Sequence, residues 1–404
     1  MTTATRPPVP RRALAAVVGL VLAAGCASGD TPPDARGPGA TGERTVYPGA
    51  RWARGDAADL GFDEAALAEI ASAAEAAGSN CLLVTRHGRI AGEWYWNGAT
   101  ATGGQEVFSV TKSVASTLVG IAQANGQLDV DDAAADYVDA WAGTRSGEVT
   151  IADLLGNDSG REWSVVLDYV HLPAQPDSDA FAAGLSQDAA PGVAWAYNNA
   201  AIQTLDVVLR HATGRPVYEY AAGQLFEPIG MAHSSMTTDV VGNTRIYAGL
   251  QSTCQDLARL GYLFLRGGQW DGRRILPRGW VEAAVGRPSQ ELNDAYGYLW
   301  WLNRPGTVLD AGQATAPGGP GGSGGPGDRA GAGGSGGRSQ LVPGAPEDMF
   351  FALGLGDQIV AVDPSSDTVV VRLGGATRPT GGTAPFDAAA AASVVTDALV
   401  DPDA

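Results

Sequence analysis

Two segments at opposite ends of the chain share the pattern of a β-hairpin. Residues 81–96 and residues 358–373 each consist of two apolar runs around a short polar turn, at 86–89 and 363–367. Apolar runs that flank a Gly- or Pro-containing turn are typical of paired antiparallel strands. The residues between the hairpins are mostly helical in pattern. The sequence therefore predicts an α+β protein with one sheet built from both ends of the chain and helices around it.

The remaining patterns predict the boundaries of this domain, which we place at 58–404. Residues 63–77 precede a glycine and indicate a helix, and an Ala-rich helix is expected at about 386–400. A helical region is expected to be inserted at about 125–245. Residues 311–340 are rich in Gly, Pro and Ser. Such a segment cannot bury a core, so we expect it to be a disordered loop.

The first residues have the pattern of an export signal. Three arginines precede an apolar run that ends in small residues before Cys26, so residues 1–25 are expected to be a signal peptide. The sequence up to Cys26 resembles a bacterial lipobox, which predicts lipidation of that cysteine and anchoring at the outer face of the cell membrane. Residues 26–57 would be a flexible tether. An ordinary secretory signal and a twin-arginine signal at Arg11-Arg12 are the alternatives.

Charge and histidine spacing argue against two classes of partner. The formal net charge is −18, and an acidic surface repels phosphate backbones, so nucleic acid is not expected as a partner. Solubility outside the cell explains the same acidity. The four histidines show no metal-ligand spacing. We therefore expect neither a metal site nor a metal-dependent hydrolase.

Two cysteines follow Cys26. An even pair in an exported protein indicates a disulfide, so we expect Cys81 to pair with Cys254. Two buried thiols are the alternative.

The only lysine of the chain follows a serine by one helical turn. Ser109 and Lys112 open an apolar-periodic helix, and residues three apart on a helix are neighbours. A serine hydroxyl needs an adjacent base, and lysine can serve if its surroundings keep it neutral, whereas arginine stays charged. Apart from Lys112, every residue counted among the Lys and Arg of the chain is an arginine. The pattern predicts Ser109 as nucleophile and Lys112 as base, with the Ser109 backbone N–H as half of an oxyanion hole.

A Tyr-x-Asn element provides a second set of candidates. Tyr197 and Asn199 stand between a loop and a helical run. Tyr197 would pass protons between Ser109 and the leaving group. Asn199 would hydrogen-bond to Lys112 and to the substrate.

Together these motifs resemble the serine β-lactamase and penicillin-binding superfamily, specifically the class C-like branch with esterases and 6-aminohexanoate-dimer hydrolases. The resemblance extends from about Gly61 to Val400 and includes segments 149–160, 251–261 and 296–301. It implies a β-lactamase-type fold.

The third motif of that superfamily is altered here. Penicillin-recognising members carry Lys-Thr-Gly or His-x-Gly on the strand beside the cleft, and Ala352-Leu353-Gly354 occupies the matching place. The cation is missing, unless Arg372 or Arg378 supplies one from a neighbouring segment. By the same resemblance, the backbone N–H of Leu355 would be the second oxyanion donor.

The expected function is hydrolysis of a neutral ester or amide through an acyl-enzyme, without a cofactor or an obligate protein partner. A D-alanyl peptidase or a β-lactamase would use the same first two motifs. A non-catalytic binding protein of the cell envelope on the same fold is the alternative from another class.

The lipobox generates a first prediction. Cys26→Ser should release the protein from the membrane fraction or mislocalise it, because the residue that carries the lipid is lost. Fractionation with intact mass spectrometry checks this. An unmodified wild-type chain that begins elsewhere and is free outside the cell would contradict it.

Overall fold

A computed structural model describes residues 45–315, 340–376 and 384–401, all within the compact unit Thr45–Ala404. The expected signal peptide, Cys26, Arg378 and most of the Gly/Pro-rich loop lie outside these residues. In the described ranges, every helix falls short of the length and hydrophobicity needed to cross a bilayer.

Twelve strands occur in the described part of the chain: β1 (Ala53–Arg54), β2 (Ser79–Arg86), β3 (Arg89–Tyr95), β4 (Gln105–Glu106), β5 (Ser235–Met236), β6 (Leu250–Ser252), β7 (Gln269–Trp270), β8 (Arg273–Arg274), β9 (Trp301–Leu302), β10 (Phe350–Gly354), β11 (Gln358–Asp363) and β12 (Thr368–Gly374). The α-helices there are α1 (Glu64–Ala76), α2 (Val110–Ala124), α3 (Ile151–Gly156), α4 (Ser178–Gly184), α5 (Asn199–Thr213), α6 (Val217–Ala221), α7 (Glu227–Ile229), α8 (Cys254–Leu265), α9 (Arg278–Val281) and α10 (Ala388–Thr396). A π-helical turn spans Leu167–His171.

The main sheet joins the two ends of the chain, as the hairpin patterns predict. Its order is β1-β3-β2-β12-β11-β10-β9. Both expected hairpins are present, as β2–β3 and β11–β12, and β2 pairs antiparallel with β12, with Val84 opposite Val370. The region 125–245 carries α3 to α7 and the short strand β5, in agreement with the expected helical insertion.

Helices cover both faces of this sheet. Helix α8 lies so close that a Cβ on Gly261 would be 2.8 Å from Val369 and 3.2 Å from Val362, so only glycine fits there. Arg372 of β12 lies on the opposite face, because side chains alternate along a strand. Its guanidinium donates to the carbonyl of Ala77 after α1, which places the end of α1 on that face.

The tether prediction is wrong for residues 45–57. Strand β1 pairs in parallel with β3, and Trp52 is buried. Arg259 donates to the carbonyls of Pro48 and Gly49 at 3.1 and 2.7 Å. The domain therefore begins before residue 58, because backbone pairing and aromatic burial hold a segment whose composition alone suggested a linker. The C-terminal helix is also shorter than expected. It begins after its cap Asp387, which accepts from the N–H groups of Ala389 and Ala390, and it ends at Thr396. Beyond this end, Leu399 pairs with Phe62 instead of continuing the helix.

Cys81 and Cys254 form a disulfide, as predicted, between β2 and the first residue of α8. The two cysteines are 173 residues apart in sequence. The bond ties the central sheet to the helix that covers it.

The disulfide generates a stability prediction. Replacing both cysteines by alanine should lower the free energy of unfolding by about 2–4 kcal/mol, because a long closed loop is released in the unfolded chain. Calorimetry measures this, with reduced wild-type protein as the matched control. Alkylation of both cysteines in native, unreduced protein would contradict the pairing.

Candidate active site

The start of α2 presents Ser109 at a strained turn. Phe108, immediately before it, has a φ of 47°, a left-handed conformation that is rare for a bulky residue and is held here by the surrounding structure. Ser109 is the N-cap residue of α2 but makes no side-chain capping hydrogen bond. Ser109 is partly exposed, and its hydroxyl is not occupied by capping the helix.

Lys112 is the base that the sequence predicts, and its surroundings are suited to that role. Its Nζ donates to Ser109 Oγ at 2.8 Å and to the backbone carbonyl of Tyr247 at 2.8 Å. The side chain is only 1% exposed. Burial lowers the pKa of Lys112 from its ordinary value to about 7, while the nearby charge of Asp168 opposes that shift. A large fraction of Lys112 is thus neutral near pH 7 and can accept the Ser109 proton.

Tyr197 lies beside this pair. Lys112 Nζ is 4.8 Å from the centre of the Tyr197 ring. Burial raises the pKa of Tyr197 well above its usual range, and hydrogen bonds with Ser109 and Trp301 oppose this only partly. Tyr197 therefore stays protonated at neutral pH and can pass a proton as a hydroxyl group.

Aromatic side chains fix the Tyr197 ring. Trp301 of β9 stacks on it with a centroid distance of 5.5 Å and an interplanar angle of 24°. Tyr296 contacts it edge-on at 6.0 Å. The edge of the main sheet thus holds the candidate proton carrier, because β9 pairs with β10.

The role predicted for the Asn199 side chain is not observed. Asn199 is the first residue of α5 and is 3% exposed, but its Oδ1 has no hydrogen-bond partner among the described residues. Lys112 donates to the Tyr247 carbonyl instead. The backbone carbonyl of Tyr247 is thus the acceptor for Lys112 that was expected to be the Asn199 amide. Sequence patterns do not show which backbone carbonyl will lie near a given side chain.

The end of β10 passes close to the nucleophile. A Cβ on Gly354 would lie 2.4 Å from the carbonyl oxygen of Val107, so a side chain at 354 would displace the segment that leads into Ser109. The strand that carries Ala352, which is buried, therefore ends beside the segment that leads into Ser109, and its role as the third motif stays a prediction. Leu355 follows directly, and the role of its N–H as second oxyanion donor stays a prediction.

The Arg372 side chain is hydrogen-bonded to the turn that follows β10. It is 2% exposed, and its guanidinium donates to Ser79 Oγ and to the carbonyls of Gly356 and Asp357, each at 2.7 Å. These bonds fix the turn after β10, so Arg372 supports the strand rather than replacing the missing cation.

Asp168 is a site residue that the sequence analysis missed. Its carboxylate accepts from the N–H groups of Asn199 at 2.6 Å and Ala200 at 3.2 Å. Trp163, on the same segment, donates its indole N–H to the Tyr197 carbonyl at 2.9 Å. No motif marks either residue, because both act on backbone groups that are distant in sequence.

The described residues contain no group of three or more His, Cys, Asp or Glu side chains that could hold a metal ion. The expected absence of a metal and of a cofactor stays a prediction.

A sheet from both ends of the chain, a helical insertion and a Ser–Lys pair at the start of a buried helix define the β-lactamase class of protein. The chain belongs to the Beta-lactamase family, whose model matches residues 64–395. The resemblance noted from the motifs is thereby confirmed.

Individual relatives are distant. A 6-aminohexanoate-dimer hydrolase of Paenarthrobacter ureafaciens is 24% identical over 266 residues, which cover 58% of this chain and 67% of that protein. A Bacteroides dorei structure assigned as a β-lactamase aligns with a TM-score of 0.64 at 16% identity, over 84% of this chain and all of the other. A Bacillus anthracis structure assigned as a 6-aminohexanoate-dimer hydrolase gives 0.59 at 20% identity, over 77% of each chain. At these identities the structures show a shared fold alone.

The geometry of the pair predicts a pH dependence. Lys112 must be neutral to accept a proton, so kcat/KM should be half-maximal near the pKa of about 7, level off about one pH unit above it, and fall about ten-fold per pH unit well below it. Ser109→Ala should abolish turnover, and Lys112→Arg should nearly do so, because arginine stays charged. Rates from pH 5.5 to 9 on folded protein check this. Near-normal activity of Lys112→Arg would contradict the assignment of the base.

Proposed function

We propose that the protein is a serine hydrolase that forms an acyl-enzyme on Ser109 and prefers neutral esters or amides. The observation that carries the proposal is the contact of 2.8 Å between Ser109 Oγ and a buried lysine whose pKa is about 7. A lysine in this state removes the proton that makes a serine hydroxyl a weak nucleophile.

The proposed reaction has two halves. In the first, Ser109 Oγ bonds to the carbonyl carbon while its proton moves to Lys112 Nζ, and the oxyanion is held by the N–H groups of Ser109 and Leu355. Collapse breaks the bond to the leaving group, which takes the proton of Lys112 through the Tyr197 hydroxyl and so leaves Lys112 neutral again. In the second half, water attacks the ester at Ser109 and gives a proton to Lys112. The bond to Ser109 Oγ then breaks, Ser109 Oγ takes that proton back, and the acid is released.

The preference for neutral substrates rests on the missing cation. Ala352 occupies the place of the family's Lys or His, and Arg372 is bonded to Ser79 and to the turn after β10. Lys112 is the only lysine of the chain, and the net charge is −18. A substrate carboxylate would thus lack the charge-assisted hydrogen bond that penicillin-recognising relatives provide.

Amide hydrolysis is supported by the relative that is named as a 6-aminohexanoate-dimer hydrolase. The alternative, a β-lactamase or D-alanyl peptidase, shares Ser109, Lys112 and Tyr197 but needs recognition of a carboxylate. A binding protein without activity would gain nothing from a buried lysine at 2.8 Å from a serine. Export and anchoring through Cys26 stay part of the proposal, on the sequence pattern alone.

Two substrate comparisons test the charge preference. A p-nitrophenyl butyrate and a p-nitrophenyl hemisuccinate differ mainly by one terminal carboxylate, so the neutral ester should have a kcat/KM about ten- to one-hundred-fold higher, the worth of one charged hydrogen bond. The same preparation should prefer the neutral ester to a chromogenic cephalosporin. Comparable values, or a preference for the cephalosporin, would favour the β-lactamase alternative. The Ser109→Ala variant is the control for background hydrolysis.

A further inference from the structure

We propose that Asp168 is a positioning residue for the reaction: its carboxylate caps the start of α5, the helix that follows Tyr197, and its negative charge acts on Lys112 as that lysine takes up the Ser109 proton. The inference rests on the proposed function, and it assigns a task to a buried side chain that none of the family motifs contains.

The hydrogen bonds of Asp168 place it at the start of α5. This helix has 15 residues, and its first N–H groups have no partner within the helix. Asp168 accepts from Asn199 at 2.6 Å and from Ala200 at 3.2 Å, and Asn198 Oδ1 accepts from Ala201 at 2.8 Å. A carboxylate from another segment thus completes the cap. It thereby fixes the backbone two residues after Tyr197.

The segment that carries Asp168 also contacts the backbone of Tyr197 itself. The Trp163 indole donates to the Tyr197 carbonyl at 2.9 Å and also interacts with the Asp168 carboxylate. The segment 163–168 therefore holds Tyr197 at both its carbonyl and the helix that follows it.

The charge of Asp168 acts on the catalytic pair. Asp168 is 1% exposed, so little solvent screens it. Burial raises its pKa to about 6, while the N–H groups of Asn199 and Ala200 and the charge of Lys112 oppose the rise. The carboxylate is therefore mainly ionised at pH 7. Burial and Asp168 are the two influences that set the pKa of Lys112, and they act in opposite directions.

Other titratable groups face the same space. Tyr197 and Tyr247 both feel the charge of Asp168, and their raised pKa values keep them neutral at pH 7. Tyr169 acts on Tyr197, and Arg245, Glu106 and Asp239 act on Tyr247. Among these groups, Asp168 is the one whose charge bears directly on Lys112.

Proton transfer from Ser109 converts neutral Lys112 into an ammonium ion in a buried site. A fixed negative charge nearby stabilises that ion as it forms, without touching the substrate. Asp168 therefore makes Lys112 a stronger base than burial alone would leave it. A side chain that served only as a helix cap would affect stability but not the basicity of Lys112.

The test measures how fast a fluorophosphonate labels Ser109 between pH 5 and 9. The Asp168→Asn variant keeps the shape of the side chain but removes its charge. The acid limb of its pH profile, where the labelling rate falls as the pH is lowered, should move to lower pH by about one pH unit, a typical effect of a neighbouring charge. The plateau rate should fall by roughly three- to ten-fold, because the base is weaker. Labelling should depend on Ser109 in every case.

Asp239→Asn is the matched control. Asp239 is a buried carboxylate that accepts from the N–H groups of Ser178, the first residue of α4, and Asn243, each at 2.9 Å. This variant should lower the melting temperature and leave the acid limb unchanged. Trp163→Phe removes the indole N–H, which donates to the Tyr197 carbonyl and lowers the pKa of Asp168. The carboxylate should therefore protonate at higher pH, and the limb should shift in the same direction as in Asp168→Asn by a smaller amount.

An unshifted acid limb in folded Asp168→Asn would overturn the inference. If that variant does not fold, Trp163→Phe decides: a downward shift supports the inference and an unchanged limb overturns it. A shift of the same size in Asp239→Asn would also overturn it. Wild-type protein without Ser109-dependent labelling would instead overturn the proposed function, so the two failures are distinguishable.

Discussion

The burial of one lysine is the constraint on which the active site depends. Removing Lys112 from water brings its pKa to about 7, and only then can it act as a base at neutral pH. Such burial needs a helix covered on all sides, and α2 meets this condition, since its residues from Val110 to Ala122 are all buried. The sheet packs against α2 through β10 and β11, and the inserted region packs against it through α5. The two-part architecture thus creates the environment that the chemistry needs.

The parts of the site are fixed before a substrate binds. Trp301 stacks on Tyr197, Trp163 holds its carbonyl, and Arg372 secures the turn that carries Leu355. Because these contacts already exist in the free protein, the proposed reaction would require little reorganisation.

Much of the fold and the central pair could be predicted from local patterns. The two hairpins follow from apolar runs around turns, and the Ser109–Lys112 contact follows from helical spacing. The disulfide was predicted from cysteine parity in a chain with the pattern of an export signal, although nothing in the sequence showed how near Cys81 and Cys254 lie. The tether prediction fails for residues 45–57 because the Gly, Pro, Thr and Asp content of residues 27 to about 50 indicated a linker, whereas residues 45–57 contain a strand and a buried Trp52. Asn199 was given a partner by analogy, and the structure assigns that partner to a backbone carbonyl.

The sequence by itself determined which residues can carry the chemistry: one serine, the only lysine one helical turn away, and an alanine where relatives carry a cation. These are matters of residue type and spacing, which a linear chain displays directly. The tertiary structure decided how that lysine behaves. Its partner carbonyl at Tyr247 is 135 residues away, and the charge that opposes its burial comes from Asp168 on the inserted region. Desolvation and Coulomb interactions depend on distances in space, so the basicity of Lys112 exists only once the chain has folded.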